Sequence, residues 1–258
     1  MTQQLISDRA VGLKNPAPAG KARGHWPGNP AAALWRTTVG KKAVMAVTGA
    51  VLVGFVIAHM AGNLKIFLGA KAFNDYALFL RTVGEPLFPY SVLLWIARVV
   101  LLTSALLHIW AAVELTRINW AARPRSYAVK RSLATTAAAL TMRYSGVLLA
   151  VFIVYHLLHL TLGAVGFAAG SFSHDSVYHN VVTGFSGWFV SVFYILAMGA
   201  LCLHLDHGIW SMLETLGLNN TRISRGLRLL SRLAAFLVFL GFIAVPIAVL
   251  AGWLGPKE

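Results

Sequence analysis

Four stretches of the chain, residues 43–64, 144–174, 176–205 and 233–256, contain no Lys, Arg, Asp or Glu. Each is longer than the roughly 20 residues that carry a helix across about 30 Å of hydrocarbon. A fifth apolar stretch, about 89–116, is broken only by Arg98 and ends near Glu114. The pattern predicts five transmembrane helices, at about 41–66, 89–116, 142–169, 187–216 and 229–254. The fold class is therefore an all-α membrane protein, a five-helix transmembrane bundle with short loops. Residues 1–35 are polar and rich in Pro, Gly and Ala, with no apolar core of a signal peptide. They read as a basic, flexible arm ahead of a single transmembrane domain, 36–258.

Composition agrees with this. Hydrophobic residues make up 58% of the chain and charged residues 12%, too greasy for a soluble domain of this length. A net charge of +14 raises nucleic acid as a partner, but the placement of the charges argues against it. Basic residues crowd the arm (Arg9, Lys14, Lys21, Arg23, Arg36, Lys41, Lys42). They also crowd the second connection (Arg117, Arg123, Arg125, Lys130, Arg131) and the fourth (Arg222, Arg225, Arg228, Arg232). The first connection carries few and the third none. By the positive-inside rule the N-terminus lies in the cytoplasm and the C-terminus outside. The basic loops suit anionic lipid or an acidic partner. The single cysteine, Cys202, precludes an intrachain disulfide.

Six of the nine histidines fall inside the predicted helices: His59, His108, His156 with His159, and His204 with His207. His25, His174 and His179 read as surface groups. A lone intramembrane histidine often serves only to bond a neighbouring helix; four helices in succession carrying one is a stronger signal. The first and third helices run outward and bring His59 and His156 to the outer half of the bilayer. The second and fourth run inward and bring His108 and His204 to the inner half. The result is two pairs at two depths.

The chain also repeats. Met45-x-x-Thr48-Gly49, followed by His59, matches Met142-x-x-Ser145-Gly146, followed by His156. The first four helices thus read as a duplicated hairpin, and the spacing selects His156 over His159, which reads as a satisfied polar group. Tetrahedral zinc would want a third or fourth ligand at the same level. Haem iron wants two axial ligands on opposite faces of a flat ring, a role that suits neutral imidazole. Gly49, Gly54, Gly62, Gly146, Ala105 and Gly208 would let such a ring approach. A haem-free, histidine-bearing transporter is the rival reading. It calls for interrupted helices and buried carboxylates, whereas Glu114, Asp206 and Glu214 lie toward helix ends.

Several stretches, in order along the chain, carry a family resemblance: "VGKKAVMAVTG" (39–49), "AHMAGNLKIFLGAKAFNDYALFL" (58–80), "LHIWAA" (107–112), "AARPRSY" (121–127), "RYSGVLLAVFIVYH" (143–156) and "HLDHGIW" (204–210). Together they resemble the five-helix, two-haem cytochrome b membrane anchor of succinate:quinone oxidoreductases, in its actinobacterial-like b558-type branch. The resemblance implies two haem b groups, the distal one held by His59 and His156 and the proximal one by His108 and His204. It also implies a bacterial cytoplasmic membrane, and FAD-bearing flavoprotein and iron–sulfur subunits on the cytoplasmic side. Electrons would pass to a quinone, menaquinone in this branch, with a higher oligomer of the complex left open. Another respiratory diheme cytochrome b would share the haems but not the "VGKKxxM" and "GNLKIF" stretches. His207, second in "HxxHGxW", becomes a haem-edge or packing contact.

Haem propionates attract cations. Arg36, Lys41, Arg117 and, heading "RxSG", Arg143 are the candidates at the inner end. Arg98 has three candidate fates: a distal propionate, snorkelling outward, or pairing with Glu85. Quinone chemistry needs proton-bearing groups at the membrane edge. On the outer side Asp75, Glu85 and Tyr90 qualify; on the inner side Trp26, Trp35, Arg36 and Asp206 do.

Overall fold

The computed structural model describes residues 35–122 and 135–255, the side chains of 135–140 excepted. The arm through residue 34, with Trp26, and the loop cations Arg123, Arg125, Lys130 and Arg131 lie outside the described residues. Thr38–Glu258 form one compact unit. Trp35, Arg36 and Thr37 belong to a separate unit and are exposed.

Among the described residues seven α-helices follow in order: α1 (Thr38–Leu64), α2 (Ala70–Thr82), α3 (Val92–Ala121), α4 (Thr135–His156), α5 (Val177–Ser186), α6 (Trp188–Thr215) and α7 (Ser224–Leu250). A 3₁₀ turn, Lys65–Leu68, extends α1, and a π turn, Leu157–Thr161, extends α4. No strand occurs among the described residues. Five of these helices, α1, α3, α4, α6 and α7, are long and apolar enough to cross a membrane. The chain is an integral, multi-pass, all-α membrane protein.

The third span stops short of the 169 that hydrophobicity predicts. Gly163 adopts φ 64°, and its N–H and that of Ala164 donate to the His159 and Leu158 carbonyls at 3.2 and 2.8 Å. That is the left-handed glycine cap that closes a helix. Gly166 and Gly170 are left-handed too, at 79° and 76°, so the apolar residues after Leu162 form a loop. Two short helices, α2 and α5, were not expected from the sequence and cap this end of the bundle. Ser176 caps α5, its hydroxyl accepting from the His179 N–H at 3.2 Å. Asn74 on α2 accepts from the Tyr178 N–H at 3.0 Å and donates to the Ser176 hydroxyl at 3.2 Å. One amide thereby ties α2 to the start of α5.

Among the spans, α1 packs on α3, α4 on α6, and α1 on both α6 and α7, while α6 lies against α7. Lipid removes the hydrophobic drive between helices, so close approach rests on small side chains. Ala197, Ala235, Ala248, Ser191 and Ser231 are all buried along α6 and α7. The two serines return their hydroxyls to the Phe185 and Leu227 carbonyls at 2.7 and 2.9 Å. By contrast α3 turns Trp95, Ile96, Val99, Leu102, Leu106 and Ile109 outward, as a lipid-facing helix does. Among the described residues, α1 and α4 are not closely packed on each other, and neither are α3 and α6.

Replacing Asn74 with Leu strands the Tyr178 N–H and is expected to cost about 1–3 kcal/mol, read as a lower unfolding temperature in detergent. Lys71→Ala, which removes an exposed Lys71–Asp75 pair of 2.6 Å, is expected to cost less than about 1 kcal/mol.

Candidate functional site

The helix pairs held apart are the pairs that carry histidines facing one another. His108 on α3 and His204 on α6 stand with ring centroids 6.4 Å apart and planes at 61°. His59 on α1 and His156 on α4 stand 5.9 Å apart at 82°. Each of the four is half-buried. On α1 and again on α4, eleven residues separate the level of the first pair (Thr48, Ser145) from the histidine of the second. That is about 16 Å of helical rise.

The repeated Met-x-x-Thr/Ser-Gly motif supports the neighbouring hairpin helix. The Nδ1 of His108 lies 3.2 Å from the Met45 carbonyl and 3.3 Å from the Thr48 hydroxyl. A carbonyl only accepts, so Nδ1 carries the proton and Nε2 keeps its lone pair. Thr48 spends its own proton on the Val44 carbonyl at 2.7 Å, which leaves its oxygen free to accept. Ser145 does the same on α4: it donates to the Met142 carbonyl at 3.2 Å and receives His204 Nδ1 at 3.2 Å. A Cβ on Gly49 or Gly146 would already touch the Cε1 of His108 at 3.4 Å or of His204 at 3.6 Å. The motif's glycine thus lies directly beside the ring, with room for no more than a methyl group in ordinary contact. In the sequence the motif stands as a sign of duplication; its role in supporting the rings, through Thr48, Ser145 and the Met45 carbonyl, shows only where α1 meets α3 and α4 meets α6.

The other pair sits among aromatics. Phe55 stacks on His59 at 5.2 Å, and Phe242 lies 5.9 Å away. Phe152 stacks on His156 at 5.8 Å, and the Tyr194 hydroxyl lies 3.3 Å from His156 Nδ1. His159 is fully buried, with Nδ1 2.9 Å from the same hydroxyl. Its Nε2 has no hydrogen-bond partner among the described residues, so it is satisfied at one nitrogen only. Nothing in the sequence singles out Tyr194, one aromatic among many.

The remaining candidates scatter. His207 is half-buried, and its Nδ1 lacks a hydrogen-bond partner among the described residues. Beside it Asp206 meets Arg228 at 3.6 Å and Arg232 at 3.9 Å, and Arg228 also lies over Trp210. Arg143 rests over Trp120 at 5.9 Å, and Arg98 over Trp95 at 4.8 Å on the exposed side of α3. Gly62 is covered by Tyr76, whose ring would meet a Cβ at 2.8 Å. At the α2–α5 end, Asp75 and Tyr90 share a cleft of ≈ 350 Å³ with Asn74, Arg81, His174 and Asp175. A smaller cavity of ≈ 170 Å³ shares the Ala77 and Val177 walls and reaches His59. Glu85 lies outside this lining, in the turn between α2 and α3.

The donor set suits a two-ligand metal. No group of three His, Cys, Asp or Glu able to hold an ion occurs among the described residues, which disfavours tetrahedral zinc. No Asp or Glu is among the buried residues described, although the Asp206 Oδ1 is shielded beside Arg228 and Arg232, and α1, α3 and α6 run unbroken, against the transporter reading. Imidazoles bonded at about 2.0–2.1 Å on opposite sides of one ion set their centroids roughly 6 Å apart, the separation of both pairs here. Nδ1 protons held by a second layer of partners are the usual orientation of metal-binding histidines.

Fold and site together define a multi-pass helical membrane protein with two facing histidine pairs stacked along one bundle. The model of the family described as succinate dehydrogenase/fumarate reductase transmembrane subunit matches residues 116–245, just over half the chain. The chain belongs to that family. The match takes in His156 and His204; His59 and His108 precede it. Neither a curated protein nor a solved structure matches the chain.

Proposed function

We propose that this chain is the electron-conducting anchor of a succinate:quinone oxidoreductase in a bacterial cytoplasmic membrane, with two haem b groups. His59 and His156 would hold the distal group, and His108 and His204 the proximal one. The observation that carries this reading is the double facing pair, on helices held apart, in a chain of this family. Haem b at each pair supplies reversible one-electron chemistry. The protein's part would be to keep the Nδ1 protons in place and so leave Nε2 lone pairs for iron, through Thr48, Met45 and Ser145 at one level and Tyr194 at the other. It also surrounds the rings with apolar side chains that exclude water.

The chain would contribute no dicarboxylate site. The flavoprotein and iron–sulfur subunits would dock at the basic end, where Arg117, Arg222 and Arg225 gather, on the cytoplasmic side with the N-terminus. The quinone, menaquinone in the branch this chain resembles, would bind at the opposite end. The cleft of Asp75, Arg81, Tyr90 and His174 supports that choice, because it adjoins the cavity that reaches His59. Acidic and phenolic groups there can deliver protons to quinone oxygens.

Single replacement of His59, His108, His156 or His204 by Leu in the assembled complex is expected to remove about one haem b per chain, by pyridine haemochrome quantitation. His207→Leu should keep two. Full haem retention in the first four would contradict the ligand assignment.

A second expectation concerns the cleft and the orientation of the chain. His174→Cys in a Cys202→Ser background should react with a membrane-impermeant maleimide in intact cells, and a menaquinone analogue should slow the reaction. Reaction only in inside-out vesicles would overturn the orientation. External reaction indifferent to the quinone would overturn the cleft.

A further inference from the structure

His156 closes α4, and His159 lies in the π turn that follows, a local widening of the helix that recurs at functional sites. The turn lets both imidazoles reach the same atom on α6. The Tyr194 hydroxyl stands 3.3 Å from His156 Nδ1 and 2.9 Å from His159 Nδ1. Tyr194 is itself buried, packed edge-on against Phe152 at 5.0 Å and Phe185 at 4.8 Å. His159 is walled by glycines: a Cβ on Gly166 or Gly184 would come within 2.6 or 2.8 Å of its ring. The hydroxyl therefore has little freedom to turn elsewhere.

A phenol holds one proton to donate and lone pairs to accept, so two proton orders place the phenol's own proton within this triad. In one, His156 Nδ1–H donates to the Tyr194 oxygen, and the Tyr194 hydroxyl donates to His159 Nδ1. In the other both bonds reverse, and the His156 proton moves to Nε2. Only the first leaves the Nε2 of His156 with a lone pair for a metal ion.

We infer that Tyr194, anchored by His159, is the positioning residue that fixes the tautomer and electron-donating strength of His156. This rests on the two-haem reading and extends it. The two levels of the bundle then differ in kind. At the inner level, serine, threonine and a backbone carbonyl accept the imidazole protons. At the outer level a phenol does so, held by a second, fully buried imidazole. A hydrogen bond from the far nitrogen raises the basicity of a metal-bound imidazole, and a stronger donor favours the oxidised, more positive metal.

The test is a redox titration of the complex in membranes, resolving the two haem b midpoints, for Tyr194→Phe, with Ser145→Ala as the counterpart. Tyr194→Phe should retain two haems and raise the midpoint of one, leaving the other unchanged. Ser145→Ala should move the other midpoint and spare the first. If Tyr194→Phe fails to assemble, His159→Leu frees the hydroxyl while keeping it. That variant should raise the same single midpoint by a smaller amount. Two haems with neither midpoint moved, or both moved alike, would overturn the inference while leaving the ligand assignment standing. Absence of haem from the unmodified complex would instead sink the reading beneath it.

Discussion

An imidazole inside a bilayer has two nitrogens to satisfy and no water to do it. In this bundle the resolution is divided. One nitrogen of three of the facing rings is bonded by a neighbouring helix: His108 by Met45 and Thr48, His204 by Ser145, His156 by Tyr194. Each ring also stands close to a partner ring on a helix of the other hairpin, at 5.9 or 6.4 Å between centroids. Much of the architecture follows from that division. The α1–α3 and α4–α6 hairpins pack tightly because each supplies its own ring's support. The α1–α4 and α3–α6 pairs stay apart because they carry the rings. α6 and α7, with buried Ala and Ser, join the halves.

The ends of the bundle are unlike. One gathers cations: Arg222, Arg225, Arg228 and Arg232 about the start of α7, with Asp206 between two of them. The other is roofed by α2 and α5, stitched by Asn74 and by the Tyr178 hydroxyl on the Gly255 carbonyl at 3.0 Å. It opens into the cleft that holds Asp75, Tyr90 and Arg81. A path from a docked partner at the first end to a small ligand at the second would run the length of the histidine stack.

The spans were legible because hydrocarbon imposes a length and forbids charge, so charge-free runs mark them to within a few residues. The third overshot, since Gly163, Gly166 and Gly170 end a helix without making the sequence less apolar. The capping helices α2 and α5 were missed for the opposite reason: they are short and amphipathic and leave no transmembrane signature. Direction of travel and depth put His59 level with His156, and His108 level with His204; the rings stand 5.9 and 6.4 Å apart. The partners of those rings were harder to read. Thr48 and Ser145 lay in a motif that looked like a fossil of duplication. Tyr194 and the half-satisfied His159 depend on a contact across 35 residues of chain, which no local pattern carries.

The most direct measurement is pyridine haemochrome quantitation on the purified complex, alongside its dithionite-reduced minus oxidised spectrum. Two haem b per chain, reducible by dithionite, is the result this account predicts. One haem or none would contradict it, since two histidine pairs in one bundle would then have no common task.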